Sequence, residues 1–156
     1  MLRRCAHSFV GRGPITSFKK CRFQAALVRI ESPADVAAGL AEVLEEKKVA
    51  KASHPTMHAW RCGDGAVGFD DDGEGGSGRF LLKVLEDAGR TGELLVVTRW
   101  YGGSHLGGAR WRIIRKTATA LLAEVGESRG GAEGQGEEAE GRRSGSRRGG
   151  KGKRRG

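Results

Sequence analysis

Asp70-Asp71-Asp72-Gly73-Glu74 sets four carboxylates almost side by side, ahead of a run of glycines. Clustered carboxylates can hold a hard cation or supply a general base. The alternating acids and closing glutamate of a helix-loop-helix calcium site are not met, however. The simpler reading is a solvated loop in which Asp71 or Asp72 caps or orients its neighbours. Glycines at 73, 75, 76 and 78 allow backbone shapes that a plain loop does not need. Asp71 and Glu74 are therefore expected to be structural, accepting backbone N–H groups of the glycine loop or pairing with Arg79 or Arg99.

A second block, Thr98-Arg99-Trp100-Tyr101-Gly102-Gly103-Ser104-His105-Leu106-Gly107-Gly108, lies where a buried strand gives way to a helix. Such a junction can offer backbone N–H groups to an anion. Gly108 and Ala109 stand where a P-loop needs Lys and Ser or Thr, and GxGxxG is absent, so neither nucleotide signature is present. The alternative is that the glycines only turn the chain while Trp100 and Tyr101 pack on the core. His54 and His58 are interrupted by Pro55 and form no HExxH pair, no GxSxG exists, and no cysteine has a nearby base. Neither a metal, a cofactor nor catalysis is expected. A third block, Arg142, Arg143, Arg147, Arg148, Lys151, Lys153, Arg154 and Arg155, is basic and glycine-rich. It reads as an RNA- or anion-binding tail, or as a solvated or localisation segment.

The elements that position these blocks follow from periodicity. Residues 22–30 read as a strand with apolar groups on both faces. Ser32, Pro33 and Asp35 open an amphipathic helix over 33–48. Residues 56–62 and 66–69 form a hairpin around Gly63-Asp64-Gly65, and 79–88 form a short helix. Residues 93–99, with four consecutive aliphatics, form a strand buried on both faces, and 109–125 a second long helix. The order β-α-β-β-α-β-α predicts an α/β (α+β) two-layer sandwich, a four-stranded sheet with three helices.

The 156 residues divide by composition. Residues 1–21 are a basic arm without an acid, 22–125 the folded domain, and 126–156 a tail. The tail has 11 glycines and no Val, Ile, Leu, Phe or Trp, and is expected to be disordered. The net charge of +9 resides in the ends, the middle being near neutral. No run of 18 apolar residues offers a transmembrane helix, and no membrane partner is expected. Three widely spaced cysteines point to a reducing compartment. A cytoplasmic protein is expected, the alternative being a mitochondrion or plastid reached through the Arg-rich N-terminus.

Three segments in order resemble the IMPACT family, a domain shared by bacterial proteins and eukaryotic translational regulators. They are Ala52-Ser53-His54 with Ala59-Trp60-Arg61; Asp71-Asp72-Gly73-Glu74 followed by Arg79; and Val96-Val97-Thr98-Arg99-Trp100-Tyr101-Gly102-Gly103 followed by Leu106-Gly107. Ser17 to Phe23 is similar to the domain's opening strand, and the resemblance covers residues 17–125. Arg110-Trp111 looks like the eukaryotic branch. The resemblance implies a ribosomal protein S5 domain 2-like fold. It also implies a non-enzymatic regulator of translation initiation in amino-acid starvation, binding the activator of the initiation factor 2 alpha kinase. Actin is implied as a further partner. The 16 residues ahead of this region are too few for the RWD domain that usually precedes it in eukaryotic members. The alternative function is an RNA- or ribosome-associated binding module.

The partner is expected where the 70–79 loop meets the 99–108 loop, at Asp72, Glu74, Arg79, Arg99, Trp100, Tyr101 and Arg110, with Asp71, Gly73, Gly102, Gly103 and Gly107 shaping the loops. The eight tail cations carry no aromatic neighbour, so RNA binding through them should be electrostatic. Deleting 126–156 should remove most of the salt dependence of binding to an RNA oligomer. A salt-insensitive, sequence-specific complex would contradict this.

Overall fold

Two strands that are apolar on both faces dictate the architecture. The computed structural model describes residues 7–128. In it β1 (Ser8–Arg12), β2 (Thr16–Phe18), β3 (Cys21–Arg29), β4 (His54–Arg61), β5 (Val67–Asp70) and β6 (Glu93–Trp100) form one antiparallel sheet. The order is β1-β3-β6-β4-β5, with β2 also on β3. The central pair, β3 and β6, is in register from Arg22 opposite Trp100 to Arg29 opposite Glu93.

Alternation sends Phe23, Ala25, Leu27, Leu95, Val97, Met57 and Ala59 to one core and Ala26, Val28, Leu94 and Val96 to another. Leu81 and Leu85 of α3 (Ser77–Asp87) and Ile114, Ala118 and Leu121 of α4 (Ala109–Ser128) fill the first core. Val43 of α1 (Val36–Val43) and Val49 of α2 (Lys47–Ala50) fill the second, with Leu40 packed against it. Helices therefore cover both faces, and the two-layer expectation is corrected. A strand apolar on both faces has to be shielded on both.

The expected four-stranded sheet is likewise corrected to six strands. The added strands come from residues 8–18, which composition assigns to the basic arm. β1 and β2 lie along the same edge of β3, end to end, interrupted at Gly13-Pro14. Pro14 has no N–H for the ladder, and Gly13 N–H donates to the Ala25 carbonyl at 2.9 Å. Their ladder bonds satisfy the outer backbone edge of β3, a gain to which hydropathy is blind.

The single helix expected over 33–48 is a 3-10 turn at Pro33–Asp35 followed by α1 and α2. Buried Asp35 accepts the Glu31 and Ser32 N–H groups at 2.9 and 3.0 Å, which fixes the helix start. A continuous helix would stack Glu42, Glu45 and Glu46 at repulsive spacings. The chain instead extends at Glu46 (ψ 112°) and turns Val49 inward.

Leu95 is fully buried on the central strand. Leu95→Ala should cost about 2–5 kcal/mol in urea unfolding. A loss well below that range would mean that the first core is not the main one.

Candidate functional site

The acidic segment links β5 to α3 and acts as the cap of that helix. Asp71 accepts the Gly78 N–H at 2.7 Å through Oδ1 and the Gly76 N–H at 3.0 Å through Oδ2. Its carbonyl takes the Glu74 N–H at 2.9 Å and the Ser77 hydroxyl at 3.1 Å. The Gly76 and Gly78 N–H groups belong to the electropositive start of α3, which otherwise lacks intrahelical acceptors. Gly78 is needed here, since a Cβ would stand 2.7 Å from the Asp70 carbonyl carbon. Asp72 (φ 47°) accepts the Thr56 N–H at 2.8 Å, and Asp70 accepts the Asp72 N–H at 2.8 Å. The loop is thereby tied to β4.

Glu74, only 3% exposed, is turned inward between three elements. Arg99 Nη1 from β6 donates to both of its oxygens at 2.8 Å, and Arg110 Nη1 from α4 donates to Oε1 at 2.6 Å. His54 Nε2 from β4 lies 3.3 Å from Oε2. His54 Nδ1 donates to the Asp72 carbonyl at 2.8 Å, so the Nε2 contact is a hydrogen bond only when the ring carries both protons. Arg99, 5% exposed, lies 5.6 Å from the Phe23 ring centroid and 5.7 Å from that of Tyr101.

The second glycine block closes over this cluster. Gly102 passes so near β3 that a Cβ would fall 2.0 Å from the Lys20 carbonyl oxygen. Its N–H points at the buried Cys21 sulfur at 3.4 Å. Gly73, Gly103 and Gly107 have φ of 81°, 93° and 53°. Tyr101 remains 46% exposed and faces His105, with ring centroids 6.0 Å apart.

These contacts bring Asp72, Glu74, Arg99, Tyr101 and Arg110 to one end of the sheet, whereas Arg79 stands outside the cluster, over Phe69. Trp100 does not join them. One residue from Arg99 on a strand, it points to the opposite face, where its Nε1–H donates to the Lys48 carbonyl at 2.9 Å. The tail cations Arg142 to Arg155 lie outside the described residues. Among the described residues, no group of three His, Cys, Asp or Glu side chains is placed to hold a metal ion.

Residues 19–122 match the Impact N-terminal domain family. This chain belongs to the IMPACT family. The chain is 37% identical to Protein IMPACT of Bos taurus over 116 residues, covering 71% of this chain but 36% of that protein. It thus spans about a third of the length of that relative. An IMPACT family member of Saccharomyces cerevisiae is 30% identical over 147 residues, covering 69% of this chain and 86% of that protein. A crystal structure of a hypothetical protein superposes with a TM-score of 0.63 at 26% identity, over 74% of this chain and 59% of that one.

The IMPACT sequence blocks are the parts of the Glu74 cluster. His54 comes from the first block, Glu74 from the second and Arg99 from the third. Around the cluster lie aromatics absent from the sequence-derived site. Arg79 stacks 5.6 Å from the centroid of Phe69, which is 43% exposed. Phe80 and Trp111 meet with centroids 5.2 Å apart, and Arg110 lies 4.6 Å from the Trp111 centroid. A signal for Phe80 and Trp111 exists: Arg79-Phe80 and Arg110-Trp111 repeat an arginine-aromatic pair in the first turn of α3 and of α4.

Glu74→Ala should leave Arg99 buried without its carboxylate and lower stability by about 3–5 kcal/mol. Asp71→Ala should cost less, about 1.5–3 kcal/mol, since N–H groups rather than a cation lose their partner. Thermal and urea unfolding measure both. A Glu74→Ala protein as stable as the parent would refute the structural role.

Proposed function

We propose that this IMPACT family chain is a non-enzymatic regulator of translation initiation in the amino-acid starvation response, acting in the cytoplasm. It binds the activator of the initiation factor 2 alpha kinase through the rim around the Glu74 cluster. One observation carries the binding reading over a catalytic one. Asp70, Asp71, Asp72 and Glu74 all accept hydrogen bonds from the chain's own framework. Cys62 supports it as well. Burial first, then the Asp64 and Asp35 carboxylates, push its thiol above the usual range and disfavour the nucleophilic thiolate.

The rim has the chemistry of a protein contact surface. Arg79, Tyr101, Phe69, Phe80, Trp111 and the half-buried Arg110 form a band of arginines and aromatics, the residue types that dominate interface energies. Its cations suit an acidic partner surface. Asp72 lies at the edge of this band, while Glu74 and Arg99 hold it in shape from below. Trp100 is no part of it. Actin and RNA or the ribosome remain partners implied by the resemblance and by the basic arms. The S5 domain 2-like assignment is supported by the β3-α1-α2-β4-β5-α3-β6-α4 order.

The test is capture of the kinase activator from starved cells by purified chain, with ribonuclease present. Tyr101→Ala/Arg110→Ala should reduce capture about tenfold or more, the loss expected for interface hot spots. Phe69→Ala/Arg79→Ala, outside the buried cluster, should do the same without touching Glu74. Undiminished capture by both folded variants refutes this surface.

A further inference from the structure

The opposite face of the sheet carries a second surface, built from different residues. Trp100, Arg22 and Gln24, on β6 and β3, line the floor of a groove. Arg12 and Ile15 line it from the β1–β2 stretch, and Lys48 and Lys51 from α2 and the residue after it.

Its charge is one-sided. Glu42, Glu74, Asp87 and Glu93 each sit against a basic side chain. Arg22, Lys48 and Lys51 are exposed and make no ion pair among the described residues. With Arg12 they line one groove with four cations, against the single carboxylate of Glu46.

Its floor is also flat and fixed. The Trp100 indole is held at its edge by the Lys48 carbonyl, and the Arg22 guanidinium lies 5.5 Å from its centroid. Ile15, 51% exposed, extends apolar surface to the rim. Cations in a groove with an aromatic and a guanidinium plane match a polymer that alternates phosphates with planar bases. An acidic peptide would satisfy the charges but leave the planes without stacking partners. A duplex hides the faces of its bases.

We propose that this groove binds single-stranded nucleic acid, with Arg12, Arg22, Lys48 and Lys51 holding phosphates and a base stacking on the Trp100–Arg22 floor. The site is separate from the glycine-rich tail, which has charge but no aromatic. It also lies on the other face of the sheet from the rim of the Glu74 cluster, so each can fail without the other.

The probe is a fluorescein-labelled oligouridylate, read by anisotropy. The protein is the full chain with the eight basic residues of 142–155 replaced by serine, so that the tail does not mask the groove. Arg22→Gln/Lys48→Gln/Lys51→Gln should weaken binding about tenfold or more. It should also reduce the slope of log affinity against log salt by about 2, at about 0.7 for each single-strand phosphate contact. All three side chains are exposed, and unfolding curves check that the fold is kept. On titration of the unsubstituted groove, the Trp100 indole N–H resonance should shift while those of Trp60 and Trp111 stay. Kinase-activator capture by the triple variant should be unchanged.

Unchanged affinity in the folded triple variant overturns the proposal. A Trp100 resonance that does not move also overturns it. Equal competition by inorganic polyphosphate or duplex RNA of matched charge reduces the groove to a general anion patch and overturns its assignment to single-stranded nucleic acid.

Discussion

The buried Glu74 carboxylate is the interaction on which the rest of this structure depends. Arg99 and Glu74 are both withdrawn from water, and either charge alone in that position would be costly. Together, with Arg110 and His54 completing the shell, they form only when the β5–α3 loop, the end of β6, the start of α4 and the start of β4 are assembled. The cluster thus couples four chain segments that are distant in sequence. It behaves less as a source of stability than as a condition on geometry: the loops cannot move apart without stranding a charge.

Because the charges are inward, the outside of the same region is left to aromatics and arginine planes. Arg110 has both roles, one Nη1–H on Glu74 and its guanidinium over Trp111. Asp71, meanwhile, holds the first turn of α3, so that Arg79 and Phe80 leave the helix at fixed directions. A rigid interior and an exposed rim are the usual division of labour at a binding surface carried on loops.

The sheet then separates the two surfaces by parity. Arg99 and Trp100 are adjacent in the chain, yet strand alternation sends one to the α3–α4 face and the other to the α1–α2 face. The same alternation places Arg22 beside Trp100 and Phe23 beside Arg99. One short length of two paired strands thereby supplies the base of the ion cluster and the floor of the basic groove.

Much of this was legible from residues 22–125. The hairpin of β4 and β5, the buried strand at 93–99, the helices near 79–88 and 109–125, and the structural part played by Asp71 and Glu74 all follow from local periodicity, turn chemistry and charge. Family membership followed from the blocks that contain His54, Glu74 and Arg99. Other features depended on tertiary structure. Strands β1 and β2 are defined by backbone hydrogen bonds to β3, and hydropathy does not register such bonds. The break at Glu46 and the inward turn of Val49 answer to a core on a face that the two-layer reading left open, although the apolar residues of β3 and β6 on both faces demanded cover there. The grouping of Trp100 with Lys48 rather than with Tyr101 is a matter of which side of a sheet a residue meets, and that is fixed by register and packing between strands far apart in the chain. Local sequence determines which elements form and which charges must find partners; only the assembled sheet decides which neighbours those residues share.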